Sequence, residues 1–262
     1  MTSGHGYVFD NAWERGRARL ATVEELLDPG SIRHIEALGA APGWRCLEIG
    51  AGGGSIAQWL CRRVGPSGEV TATDLDTRYL SALDEANLDV RRHDIVADAL
   101  ETGAFDLVHA RLVLEHLPAR DAALQKLIAA LKPGGHLLVE SLDYVSGVPV
   151  SALGAHEHER SQGVRLTEFG KAGLDAAYGR RLPAALRAGG LAGVGSEGRV
   201  WVMEGGSPGA RWFKLSMEQV RERLTGEGKL TAGEIDHMLE LFDDPGWAAL
   251  SPIVMAAWGT RS

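Results

Sequence analysis

Cys46-Leu47-Glu48-Ile49-Gly50-Ala51-Gly52-Gly53-Gly54-Ser55 is the stretch whose reading decides the fold. Apolar residues flank an acid, glycines then replace side chains, and Ser55 opens a run with helical periodicity. The stretch therefore predicts a buried strand, a tight turn and a helix. Glycines tolerate positive φ and let a ligand lie against bare backbone, while the following helix directs free N–H groups and its positive dipole end to the same place. A ligand with a carboxylate or another electron-rich group is expected there. A dinucleotide site of the form G-x-G-x-x-G would need glycine at position 55, where Ser55 stands, so the register is wrong for NAD.

With 262 residues the chain can form one large domain, or one domain carrying a substantial insertion. It contains no 18-residue apolar run, so no membrane span is expected. Its start, Met1-Thr2-Ser3-Gly4-His5-Gly6-Tyr7, lacks the basic and apolar regions of a signal peptide, and a cytoplasmic protein is expected. The formal charge of −8 argues against nucleic acid as a partner. Arg91-Arg92 and Arg180-Arg181 are short basic runs that read as solvated faces. Cys46 and Cys61 are the only cysteines, and both read as small buried hydrophobes in a reducing compartment.

Around the glycine turn the chain alternates strands and helices. Residues 5 to 27 form an amphipathic arm with Tyr7, Phe9, Trp13 and Leu20, ended by Asp28-Pro29-Gly30. Ser31 to Leu38 is a short second helix. Strand Arg45 to Ile49, helix Ser55 to Val64 and strand Glu69 to Asp74 follow. Gly54 and Asp74 are 74 − 54 = 20 residues apart, the span of one helix and the return strand of a βαβ unit. An acid at that strand tip can accept both hydroxyls of a ribose, which makes Asp74 the leading candidate; Asp76 reads as part of the start of a helix that Thr77 would cap. A third strand runs from Leu88 toward Asp94-Ile95, and a fourth is Phe105 to Ala110. Leu112 to Pro118, with its Glu-His-Leu-Pro turn, leads to a helix from Asp121 to Leu131. Lys132-Pro133-Gly134-Gly135 stops that helix before a fifth strand, His136 to Ser141.

From Glu48 and the alternating glycines through Glu-His-Leu-Pro and Leu-Lys-Pro-Gly-Gly, residues 45 to 143 resemble the class I S-adenosylmethionine-dependent methyltransferases, in particular the small-molecule enzymes of quinone and natural-product biosynthesis. The resemblance implies an α/β fold with a Rossmann-like seven-stranded sheet whose last strand is antiparallel. To this are added an N-terminal helical arm, 1–38, and helical insertions near the C-terminus. The domain proper would span 39–262, with 144–190 and 205–250 as helical caps over the substrate. S-adenosyl-L-methionine is the implied cofactor and S-adenosyl-L-homocysteine the product. The cofactor-binding set is then Tyr7, Glu48, Gly50, Ala51, Gly52, Gly54, Asp74, Leu75, Asp94, Ile95, Ala110 and Arg111. In it Asp94 would accept from the adenine amino group, and Ala110-Arg111 would face the sulfonium.

Beyond Tyr144 the resemblance thins. Ala155-His156-Glu157-His158-Glu159 reads as a polar surface rather than a metal site, and no metal is expected. Helices are expected between Leu166 and Leu186, a sixth strand from Gly195 to Met203, helices near Trp212 and after Thr231, and a seventh strand from Pro252 to Gly259. Tyr144, Trp201, Trp212 and Phe213 suggest a substrate pocket for a flat or greasy molecule. Methyl transfer needs alignment and water exclusion more than a base, although a phenol or enol acceptor needs its proton removed. His116, just past the fourth strand, is the candidate base. His109, inside that strand, reads as a satisfied core histidine. The expected function is methyl transfer to an O, N or C atom of a small metabolite. A non-methylating enzyme using the same cofactor, a non-enzymatic cofactor-binding protein and, less favoured, an NAD-dependent oxidoreductase remain alternatives. The oligomeric state is left open, a homodimer being one possibility.

Overall fold

The structure, a computed structural model, describes residues 13–226 and 228–262. Tyr7, expected at the cofactor, lies outside them. The chain opens with α1 (Gly16–Ala37), then β1 (Arg45–Ile49), α2 (Ser55–Val64), β2 (Glu69–Asp74), β3 (Leu88–Arg92), β4 (Phe105–Arg111), α3 (Arg120–Ala130) and β5 (Leu131–Asp143). A short β6 (Val148–Pro149), α4 (Ala155–Lys171), α5 (Tyr178–Ala188) and β7 (Ala192–Arg199) follow. The last part holds β8 (Val202–Glu204), α6 (Pro208–Gln219), α7 (Arg221–Leu224), α8 (Ala232–Leu241), β9 (Ala248–Leu250) and β10 (Ile253–Thr260). No helix among the described residues is long and apolar enough to cross a membrane.

Seven strands form one sheet in the order β3-β2-β1-β4-β5-β10-β7. The first five are parallel, and β10 runs antiparallel between β5 and β7, as expected for this fold. Alternation along each strand divides the core between the sheet's two faces. Cys46, Leu107, Leu138 and Ala256 meet Ile35 of α1 and Ile56, Leu60 and Val64 of α2. Leu47, Val108, Val139 and Ala257 meet Leu124 and Leu127 of α3 and Leu182 and Leu186 of α5. A third apolar cluster gathers Phe169 of α4, Phe213 of α6, Met238 of α8 and the fully buried Trp247.

The structure corrects the expected elements in four places. Asp28-Pro29-Gly30 does not end the arm, because α1 continues through Pro29. Tertiary contacts hold this turn where proline would otherwise break it: Arg111 bonds the Asp28 carboxylate, and the Ser31 hydroxyl reaches both the Leu27 carbonyl and Glu140. Between β2 and β3 only a single 3-10 turn forms, Leu80–Ala82, in place of a helix capped by Thr77. The sixth strand leaves the main sheet after Arg199, and Val202–Glu204 joins a separate three-stranded sheet with β6 and β9. Finally, α5, expected within the cap segment 144–190, packs on the sheet instead, whereas α4 of that segment joins the third apolar cluster. The cap expected at Thr231 is present as a capping box: its hydroxyl accepts from the Glu234 amide, and Glu234 accepts from the Thr231 amide.

One polar cluster is buried beneath α1. Glu48 and His109 are register partners on β1 and β4, and Arg111 and Glu140 are partners on β4 and β5, all on the face that α1 covers. His109 donates through Nδ1 to Glu48 at 2.6 Å and through Nε2 to Glu140 at 3.1 Å. Burial opposes its charge, but the two carboxylates outweigh that and raise its pKa from 6.5 to about 9. His109 is the satisfied core histidine expected from the sequence, held as an imidazolium.

Replacing His109 by leucine strands two buried carboxylates and is expected to cost about 3–5 kcal/mol in urea unfolding at pH 6.5. The pH dependence follows from the signs. The histidine's contribution is complete below pH 6.5 and fades as pH rises through 9. The Glu140 pKa is lowered despite burial, chiefly by His109, so its contribution fades only on acidification. The difference between wild type and His109→Leu is therefore expected to shrink from pH 6.5 to pH 9.5. A constant difference would exclude a charged His109.

Candidate active site

The glycine turn forms one wall of a cavity of about 490 Å³ at the carboxyl ends of β1, β2 and β4, where open α/β sheets place their ligands. Gly50, Gly52 and Gly54 all have positive φ, 66°, 56° and 89°. At Gly50 space adds to conformation, because a Cβ there would lie 2.4 Å from a methyl of Val113. The turn therefore admits only glycine at position 50 without displacing the wall opposite. Gly54 sits at the N-cap of α2, and Ser55 begins the helix at the cavity edge.

Asp74 ends β2, and its carboxylate ties the turn in place. One oxygen accepts from the Gly52 amide at 2.9 Å and the other from the Asp76 amide at 3.0 Å. Burial raises its pKa, and the two amides partly oppose this. Each carboxylate oxygen has two acceptor sites, so capacity is left for ligand hydroxyls. Leu75 and Asp76 follow on the same rim, and past β3 the cavity is lined by His93, Asp94 and Ile95. The Asp94 carboxylate accepts from the Val96 amide at 2.9 Å.

The β4 side carries Arg111, Leu112, Val113 and His116. The Arg111 guanidinium donates to the Ser31 hydroxyl and to the Asp28 carboxylate, each at 2.8 Å. Leu112 is the one non-glycine residue with positive φ among the described residues, 56°, and its amide donates to the Glu140 carbonyl at 2.8 Å. Strain of this kind persists only where the surroundings impose it, and it aims the chain leaving β4 along the cavity. The Glu-His-Leu-Pro segment forms a 3-10 turn, Leu114–His116. Burial, with Arg19 and Arg120 nearby, pushes the His116 pKa down to about 3. His116 is therefore neutral across the physiological range.

The far side is closed by Tyr144, by Arg165 and Phe169 of α4, and by Trp212, Phe213, Met217 and Val220 around α6. From α1 come Arg19, Leu20, Val23 and Glu24. Of the residues singled out in the sequence, Gly50, Ala51, Gly52, Asp74, Leu75, Asp94, Ile95, Arg111, His116, Tyr144 and Trp212 all line this one cavity. Four do not. Glu48 lies beneath α1, bonded to His109, and Ala110 is fully buried in the opposite face. Gly54 lies behind the wall with its α-carbon toward Leu83, and Trp201 packs on the third apolar cluster. Phe213, read with those aromatics as part of the pocket, lines it too, whereas Arg19, Glu24, Arg165 and Phe169 were not expected. Helical periodicity marks an apolar side on their helices, but nothing in it says which side hangs over a strand tip.

A family model described as a methyltransferase domain matches residues 8–172. The chain belongs to this methyltransferase-domain family. It is 29% identical over 124 residues to the ubiquinone biosynthesis O-methyltransferase of Cupriavidus pinatubonensis, covering 45% of this chain and 49% of that one. It is 36% identical over 133 residues to the ubiquinone/menaquinone biosynthesis C-methyltransferase UbiE of Bordetella parapertussis, covering 47% and 52%. The matched region thus spans about half the length of these relatives. In fold the chain is similar to the YcgJ protein of Bacillus subtilis, with a TM-score of 0.56, 12% identity, and 90% and 99% of the two chains covered. It is also similar to phosphoethanolamine N-methyltransferase 2 of Haemonchus contortus in complex with S-adenosyl-L-methionine, with a TM-score of 0.52, 17% identity, and 98% and 54% covered.

Gly50→Ala is expected to lower stability by about 1–2 kcal/mol through its left-handed conformation alone, with further loss from the clash at Val113. Gly39 also has positive φ, 90°, but no atom lies within 4 Å of where its Cβ would stand, so Gly39→Ala should show the conformational part only. Equal losses for the two in chemical denaturation would remove the steric role assigned to Val113.

Proposed function

We propose that the protein is an S-adenosylmethionine-dependent methyltransferase acting on a small metabolite in the cytoplasm. The observation that carries the reading is the Asp74 carboxylate, fixed to the glycine turn at the tip of β2 and facing the cavity. The residues present fit the cofactor. A Cβ-free turn offers backbone for close approach, α2 directs its free amides at the same wall, and Asp74 keeps acceptor capacity for two ribose hydroxyls. Asp94 and Ile95 would hold the base, and Gly50, Ala51 and Gly52 the amino-acid portion. Glu48, Ala110 and Gly54 support this wall from behind.

When bound, the cofactor supplies an electrophilic methyl group on a positively charged sulfur. The chain's own part is alignment and the exclusion of water. Arg111 is already shared between Asp28 and Ser31, so it fixes α1 over the wall instead of offering a free cation. Leu20, Val23, Phe169, Trp212, Phe213 and Met217 make an apolar enclosure that limits competing water. Alignment in such an enclosure can contribute roughly 7–11 kcal/mol at best. Neutral His116 is a weak base and serves as a hydrogen-bond acceptor that orients a hydroxyl or amine. The segments 144–171 and 205–250, which carry α4, α6, α7 and α8, form the substrate cap in this reading.

Two measurements test the reading. Calorimetry is expected to detect S-adenosylhomocysteine binding to wild type. Asp74→Ala should weaken it about 100-fold, as the loss of two hydrogen bonds to a charged acceptor at about 1.5 kcal/mol each implies. Absence of binding to wild type, or heat with NADH in its place, would sink the proposal. With an acceptor found by screening, His116→Ala should lower turnover about tenfold or more while leaving cofactor affinity within threefold. Because its pKa is near 3, wild-type turnover should show no limb near pH 6.5 that His116→Ala abolishes.

A further inference from the structure

Charge is unevenly distributed around the cavity. Asp74, Asp76 and Asp94 lie at the tips of β2 and β3, whereas Tyr144 and Arg165 lie beyond β5. From β2 to β5 there are three strand spacings, or about 14 Å. These acids therefore cannot neutralise Arg165 directly, and Glu24, the acid that α1 adds to the wall, is paired with Arg17 at 2.9 Å. Arg165 projects from the middle of α4, and its guanidinium carbon stacks 5.4 Å from the ring centroid of Phe213. Its Nε donates to the Ser161 carbonyl at 3.4 Å, a long bond one helical turn back. Among the described residues no carboxylate pairs with it.

This sets Arg165 apart from Arg111, which lines the same cavity and has Asp28 as counter-ion. Burial lowers the Arg165 pKa to about 10, and among the described residues Tyr144 is the neighbour that favours its charge. It remains a cation at neutral pH. A smaller crevice of about 10 Å³ shares Tyr144, Arg165, Phe169 and Phe213 with the cavity and adds His158, Gln162, Leu166 and Pro252, again without an acid. His158 is buried, neither ring nitrogen has a hydrogen-bond partner among the described residues, and burial together with Arg165 lowers its pKa to about 4. The expected polar surface at His156 to Glu159 is therefore partly an interior wall behind Arg165. A half-buried cation without a counter-ion is costly, and an anion supplied from the cavity offsets that cost.

We infer that Arg165, stacked on Phe213 beside Tyr144, is the subsite for an anionic group on the methyl acceptor, and that the acceptor is an aromatic or otherwise flat, apolar acid. The apolar lining from Phe169, Trp212 and Met217 takes the body of the molecule, and the guanidinium takes its carboxylate or phenolate. Cationic amines are excluded as acceptors by the same charge. This inference rests on the methyltransferase reading for the word acceptor, but the subsite itself stands on the side chains alone.

The test is calorimetric titration of 2-naphthoate and its neutral counterpart 2-naphthamide into protein saturated with S-adenosylhomocysteine. Wild type is expected to bind the acid at least tenfold more tightly than the amide. The gap should close in Arg165→Met and be largely kept in Arg165→Lys, with S-adenosylhomocysteine affinity within threefold of wild type in both. Should Arg165→Met fail to fold, as judged by loss of cofactor binding, Arg165→Gln is read in its place. Equal affinity for the two ligands, no binding of the acid, or a gap that survives loss of the guanidinium would overturn the subsite. If wild type binds no S-adenosylhomocysteine, the methyltransferase reading fails, and the same ligand pair in its absence still decides whether Arg165 selects an acid.

Discussion

The passage from β1 to α2 is the constraint on which the rest of the molecule depends. Three glycines with positive φ let the chain reverse within five residues, and one of them faces Val113 with no room for a side chain. Asp74 then locks the turn through the Gly52 amide, so the second strand's terminal acid and the turn's bare backbone are presented to one space. Fold and site come from a single local solution: a buried strand must end where a helix N-terminus begins, and the gap between them must hold backbone only.

Beneath this turn, charge takes the place of apolar packing. Glu48, His109, Glu140, Arg111, Ser31 and Asp28 link three adjacent strands to α1, three carboxylates sharing two cations. Such clusters add modest net stability and are costly to break singly, so they act mainly to fix register and orientation. Here that means fixing α1, whose Arg19, Leu20, Val23 and Glu24 complete the cavity. The acid of the glycine motif thus serves the site through His109 and the helix above it. On the opposite rim, Arg165 has no such match, and the contrast between the two arginines separates a structural cation from one poised for a ligand.

Much of this was legible in the sequence because the decisive signals are local. Apolar strand runs, glycines without side chains, an acid twenty residues on and a Lys-Pro-Gly-Gly stop each report on their own few residues, and the alternation of strands and helices follows from them; the antiparallel last strand is what the family resemblance implied. The failures share a cause. Pro29 is a breaker by propensity, but Arg111, far away in sequence, anchors the turn before it through Asp28. Glu48 reads as a ligand contact until its cross-strand partner is known to be a histidine. Trp201 and Val202 continue a strand pattern, yet the chain crosses to a second sheet where β9 awaits. Arg165 looks like any helix charge, since partial burial without a counter-ion is a property of packing between α4 and α6 and has no sequence mark.

The most direct measurement is a crystal structure of the protein grown with S-adenosylhomocysteine. The account predicts density that follows the strand tips, with the sugar hydroxyls on the Asp74 carboxylate, the base beside Asp94 and Ile95, and the sulfur facing the space between His116 and Arg165. A ligand bound elsewhere, or one lying in the cavity with its sugar away from Asp74, would contradict it.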